Sequence, residues 1–127
     1  MTIDVARQWL EIAEGDWRTA NREFAVESEA NYRAVCFFAQ QCAEKLMKAL
    51  LIQAGVLAPR TRDLEELDRA LGLLVPARPW LEDDLSLLTA WAVESRYPGV
   101  TPSAADAEAA LDACSRVRDG LLPLFRN

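Results

Sequence analysis

The sequence predicts an all-α protein, an up-and-down bundle of four to five antiparallel helices. Three observations carry this expectation. Apolar residues return at three- and four-residue spacing through successive segments, the period of a helix with one buried face. No segment shows the strict apolar–polar alternation of a strand. The links between segments are short and carry Gly, Pro, Ser and Asn, as in bundles whose neighbouring helices run antiparallel. The chain has 127 residues, 51% of them apolar. That length suits one domain, residues 1–127, able to bury roughly two-thirds of its unfolded surface without metal or disulfide staples.

The first helix is expected from about Thr2 to Glu27, with Trp9, Ile12, Ala13, Trp17, Ala20 and Phe24 on its apolar face. Asp16 falls inside that face, where a carboxylate is unfavourable unless it is paired or hydrogen-bonded. It therefore either fixes packing by bonding a basic residue or a tryptophan N–H, or belongs to an internal polar site. Lys48 and Arg96 are its candidate partners. Ser28-Glu29-Ala30-Asn31 links to the segment around which the chain is organised, ending at Gln53 or Ala54. From Tyr32 onward this central helix is apolar almost all round, broken by a narrow stripe of Gln41, Glu44 and Lys48 in which Phe37 also lies. Such a helix is packed by neighbours on one side and by a partner subunit or ligand on the other. Gly55 supplies its C-terminal cap and Pro59 prevents its resumption.

Asp63 with Glu66 reads as a capping box for a third helix carrying Leu64, Leu67, Leu71 and Leu74 inward. Pro76 and Pro79 punctuate the next link. A fourth helix is expected from about Trp80 to Ser95, with Leu81, Leu85, Leu88 and Trp91/Ala92 inward and Glu82, Asp83 and Asp84 complementing its dipole. Pro98-Gly99 ends it. Thr101 or Ser103 caps a fifth helix, with Pro102 in the first turn and Ala107, Leu111, Cys114, Val117, Leu121 and Phe125 as its stripe.

Composition excludes whole classes of function. The chain has no histidine, so Ser-His and Cys-His nucleophilic arrangements and His-ligated zinc are absent. A net charge of −6 argues against broad, charge-driven coating of nucleic acid. Cys36, Cys42 and Cys114 sit in apolar helical faces without a Cys-x-x-Cys spacing and read as inert core thiols of a reducing compartment. No apolar run reaches the roughly 18 residues of a membrane span, and the N-terminus lacks the pattern of a signal peptide. The expectation is a cytoplasmic protein with no metal and no cofactor.

Besides Asp16, three groups of residues could carry chemistry. Glu44 and Lys48 form an i, i+4 pair in the favourable orientation. They are either an ordinary helix pair or part of a phosphate site in which Lys45 and Lys48 flank the Phe37 ring. Arg60, Arg62 and Arg69 cluster near a helix start, as an anion site or as scattered surface charge. Ser95-Arg96-Tyr97-Pro98 leaves an arginine fork and a stacking ring at a helix end, where the arginine could equally answer the helix dipole.

The ordered set Gln40-Gln41-x-x-Glu44-Lys45-x-x-Lys48-Ala49, Thr61-Arg62-Asp63-Leu64 and Ser95-Arg96-Tyr97-Pro98 resembles the HEPN domain (higher eukaryote and prokaryote nucleotide-binding), from Ala6 to Leu124. The resemblance implies an HEPN-like helical bundle of the kind found as nucleotidyltransferase substrate-binding subunits. It also implies a homodimer and a minimal nucleotidyltransferase partner in a toxin–antitoxin or nucleotide-modifying pair. Many members are metal-independent ribonucleases with an Arg-x4-6-His motif. Arg96 matches the arginine, but Thr101, Pro102 and Ser103 stand where the histidine should be, and Arg62 stands where relatives often carry histidine.

The expected function is a non-catalytic nucleotide- or RNA-binding module. Lys45, Lys48 and Arg96 would hold phosphate, Tyr97 would stack, and Asp16 would orient a basic residue. Phe37, Gln41 and Glu44 would form the dimer or partner face. The alternatives are a weak ribonuclease using Arg96 and a dimeric interaction scaffold.

Overall fold

A computed structural model describes residues 2–75, 80 and 82–125. Among them are five α-helices and no strand: α1 (Thr2–Phe24), α2 (Tyr32–Gln53), α3 (Leu64–Leu71), α4 (Glu82–Glu94) and α5 (Ala104–Leu121), followed by a 3-10 turn, Leu122–Leu124. Pro76, Pro79 and Leu81 lie outside the described residues.

Cross-links between helices reveal their directions. Asp16 meets Lys45 and Glu23 meets Asn31, so α1 and α2 run antiparallel. Arg33 at the start of α2 meets the end of α4, and Asp84 at the start of α4 meets Arg116 late in α5. These pairs are antiparallel too. Gln53 bonds the Leu124 carbonyl, which brings the C-terminal ends of α2 and α5 together.

α2 is the core, as its composition predicts. Val35, Cys36, Ala39, Cys42, Ala43, Leu46, Met47, Ala49 and Leu51 are all fully buried. α1 offers it Ala6, Ala13 and Ala20, a seven-residue repeat of small side chains that lets two helices approach closely. That line sets the rotation of α1 and turns Ile12 outward, half-exposed, contrary to its expected inward place. α1 also ends at Phe24 rather than Glu27.

The caps are local and largely as expected. Asn31 accepts from the Ala34 N–H to start α2. Gly55 closes α2 at φ 78°, with Gly55 N–H on Ile52 O and Val56 N–H on Leu51 O, both 2.9 Å, a Schellman motif. Asp63 caps α3 by accepting from Glu65 N–H, but its own N–H donates to Thr61 Oγ1 at 3.0 Å. Thr61 thus replaces Glu66 in the reciprocal bond. α3 stops at Leu71, which leaves Leu74 40% exposed beyond the inward trio Leu64, Leu67 and Leu71. Ser103 caps α5 in a capping box with Asp106, so Pro102 precedes the helix instead of lying in its first turn. α4 begins at Glu82, and its acidic turn is not uniform. Asp84 is buried and takes both a 2.8 Å and a 2.6 Å bond from Arg116, an ion pair rather than dipole compensation alone.

All three cysteines are buried free thiols. Burial, with Asp106 adding to it, pushes the Cys36 thiol up to about 12. The Cys42 thiol is raised further by its hydrogen bond with Cys114 and by burial. Because the thiolate is the nucleophile, the folded protein at pH 8 is expected to leave an aromatic disulfide reagent unreacted over minutes, and to release three equivalents after denaturation. Fast reaction of any thiol in the folded state would contradict this packing.

Candidate functional site

Three polar assemblies lie along α2, and they do not converge. Near its middle, Lys45 Nζ donates to Asp16 at 2.7 Å, with both side chains mostly covered. Asp16 thus bonds a basic residue, as its place on an apolar face requires, but not either of the two expected partners. Neither Lys48 nor Arg96 reaches it. On either side of Lys45, a chain of bonds runs through α2 itself. Gln41 donates to Gln40 Oε1 at 2.7 Å, Gln40 donates to Glu44 at 2.9 Å, and Lys48 donates to the other Glu44 oxygen at 3.0 Å. Gln40 is fully buried and Glu44 is 6% exposed. The chain itself therefore covers Glu44, whereas Phe37 and Gln41 of the expected partner face remain half-buried.

Arg96 and Tyr97 occupy the far end. With about 1.5 Å of rise per residue, Phe37 and Lys48 stand roughly 17 Å apart along α2. Arg96 lines a cavity of about 360 Å³ beside Phe37 and Phe38, at the Phe37 end of the helix. The expected five-residue site is therefore split. Lys45 and Lys48 are tied to carboxylates, while Arg96 stands exposed beside the two phenylalanines, which meet edge to face at 5.3 Å, and the neighbouring Tyr97 is exposed.

The loop bearing Arg96 and Tyr97 is held by a residue that sequence reasoning missed. Arg33 Nη1 donates to the carbonyls of Glu94, Ser95 and Tyr97 at 3.3, 3.3 and 2.9 Å, and Nη2 donates to the Val100 carbonyl. It gathers the C-terminal carbonyls of α4 and the turn beyond, groups that a helix end leaves without intrahelical donors. Ser95 assists, its hydroxyl donating to the Trp91 carbonyl. With the backbone held by Arg33, the Arg96 guanidinium has no carboxylate within ion-pair distance among the described residues. The sequence does carry a signal for Arg33. A cation in the first turn of a helix opposes the helix dipole, so its place in α2 asks for a tertiary partner. Arg33→Ala is expected to make the 95–100 backbone exchange amide hydrogens at least tenfold faster while the α2 core amides stay protected. Unchanged exchange there would show that the loop is held by something else.

Two further ion pairs were also not foreseen. Arg118 grips both oxygens of Glu14, at 3.1 and 2.6 Å, and lies 4.4 Å over the Trp17 ring. Burial alone would lower the Arg118 pKa, but Glu14 outweighs it and the group is raised. Arg116 is raised by its bonds to Asp84. Among the described residues no three His, Cys, Asp or Glu side chains converge to hold a metal, and no helix is long and apolar enough to cross a membrane.

The HEPN domain family model matches residues 6–122, nearly the whole bundle and both ends of α2. The chain belongs to the HEPN domain family. The HEPN bundle seen here is similar to the crystal structure of TT1696 from Thermus thermophilus, with 27% identity and a TM-score of 0.78 over 93% of this chain and 96% of that one. It also shares the fold of ST0689, described as an archaeal HEPN homologue, at 24% identity and a TM-score of 0.66 over 95% and 98% of the two chains. No curated protein matches it. Of the three positions where the resemblance asks for a histidine, two have structural places. Thr101 is exposed, Pro102 is buried, and the Ser103 hydroxyl is committed to the cap of α5.

Proposed function

We propose that this HEPN domain is a nucleotide- or RNA-binding module without catalytic activity, and that Arg96 is its phosphate contact. The observation that supports this most is the exposed Arg96 guanidinium, without a carboxylate partner among the described residues. It stands beside a cavity walled by Phe37 and Phe38, on a loop whose backbone Arg33 holds in place. Guanidinium binds a phosphate oxygen pair as a fork. The half-buried phenylalanines and the exposed Tyr97 offer faces on which an unpaired base can stack. A mononucleotide held at Arg96 lies short of Lys45 and Lys48, which are engaged by Asp16 and Glu44.

The absence of histidine supports a binding role over cleavage. Ribonuclease chemistry at neutral pH needs a proton carrier whose pKa lies near the operating pH. Thr101, Pro102 and Ser103 supply none, and the loss of such a group costs about 10²–10⁴-fold. The family resemblance further supports a homodimer that works with a minimal nucleotidyltransferase partner, as a toxin–antitoxin-like pair in the cytoplasm. Titration with single-stranded RNA oligonucleotides at several salt concentrations tests the binding reading. Saturable binding that weakens with salt and with Tyr97→Ala is expected. No binding at high micromolar protein, or binding indifferent to both, would refute it.

A further inference from the structure

A second cavity lies at the opposite end of α2 from Arg96 and has no part in the phosphate contact proposed there. Its volume is about 550 Å³, within the range of small-molecule sites. Its walls are Trp9 from α1, Ile52 from the last turn of α2, and the segment Gly55–Arg60 that folds back after the Schellman turn. The left-handed Gly55 makes that fold-back possible, and a Cβ there would meet nothing within 4 Å. The interior is apolar, apart from two cations. Lys48 also lines it, and its ammonium has one carboxylate partner, Glu44, which leaves donors to spare. Arg60 is exposed and has no anionic partner among the described residues. Lys48 precedes the last turn of α2, which carries no basic residue, so the helix dipole does not account for it. The hollow beneath is apolar, and Leu57 borders it while standing 93% exposed. The last carbonyls of α2 do not compete for them, because Leu50, Leu51 and Ile52 already accept backbone N–H bonds.

We propose that this cavity binds an amphipathic small-molecule anion: an aromatic or alkyl body against Trp9 and Ile52, with one acidic head group between Lys48 and Arg60. A neutral apolar ligand would leave the cations unanswered. A polyanion would meet Glu44 beside Lys48 and too little polar wall.

Anilinonaphthalene sulfonate and decanoate are suitable probes with the full chain. The dye is expected to bind saturably with one site per chain. Decanoate should displace it, and decanol should do so at least tenfold less well. Arg60→Ser, an exposed change, should weaken the dye roughly tenfold, as expected for loss of one charge-assisted contact. Ile52→Trp should fill the hollow and abolish binding while circular dichroism and RNA binding stay unchanged. Arg96→Ala should leave the dye unaffected. Non-saturating binding, or binding indifferent to Arg60→Ser, overturns the proposal. So does dye binding that falls as protein concentration rises, which would mean that a second copy covers the cavity. If RNA displaces the dye and Arg96→Ala weakens both, the cavity belongs to the nucleic-acid site. The proposal then fails while the RNA reading stands.

Discussion

Arg96→Ala is expected to weaken single-stranded RNA binding by roughly 10- to 100-fold, the equivalent of about 1.5–3 kcal/mol for one charge-assisted contact to phosphate. The side chain is exposed and makes no contact that holds the fold, so the thermal midpoint should move by less than about 2 °C. That separation of binding from stability is the diagnostic feature. Arg33→Ala, by contrast, should weaken binding and loosen the loop together, because its guanidinium, which also lines the cavity, is committed to the backbone that carries Arg96. The salt slope should distinguish the two variants. Arg96→Ala removes a phosphate contact and should flatten the slope by about one unit, whereas Arg33→Ala should flatten it less. An Arg96→Ala protein that binds RNA with unchanged affinity would move the site elsewhere on the molecule.

Arg118→Ala is expected to destabilise the fold by about 3 kcal/mol. It leaves the partly buried Glu14 carboxylate without its two bonds and uncovers the Trp17 ring. Removing one member of a covered ion pair is costly because the other charge stays behind, and the stacking over the indole adds to the loss. For a domain of this size that corresponds to a fall of about 10 °C in thermal midpoint. Glu14→Gln/Arg118→Met together should recover part of the loss, since no lone charge then remains. If Arg118→Ala lowered the midpoint by less than about 3 °C, the pair would be no more than an ordinary surface bridge.

What the sequence discloses about this fold follows how far each signal reaches along the chain. Leu64, Leu67 and Leu71, the cap at Ser103, the stop at Gly55 and the apolar girth of α2 are set within a few residues, and helical period with capping chemistry reads them directly. Asp16 is legible as an anomaly, an acid on an apolar face, because the misplacement is local even though its partner Lys45 lies a helix away. Ile12 is misplaced by the sequence because its spacing fits the apolar arc as well as Ala13 does. Only the close approach to α2, which favours the Ala6, Ala13 and Ala20 line, decides the rotation. Gln40 is invisible for a related reason. Glutamines on a helix read as surface, and nothing local says that Glu44 will be buried beside it. Arg33, Arg116 and Arg118 each find their partner 32 or more residues away, and no spacing rule selects among 14 lysines and arginines. The candidate site is legible as a set of residue types, but not as a place. Packing sends Lys45 and Lys48 to carboxylates and leaves Arg96 and Tyr97 at the other end of α2.

The most direct test of the central claim, an HEPN domain that holds RNA at Arg96 without cutting it, is incubation of the purified protein with labelled single-stranded and structured RNA in EDTA, beside Arg96→Ala. The expected result is a retained, intact RNA complex for the native protein and a weakened one for the variant, with no cleavage by either. Cleavage by the native protein that disappears in Arg96→Ala would contradict the account and make this chain a ribonuclease that works without histidine.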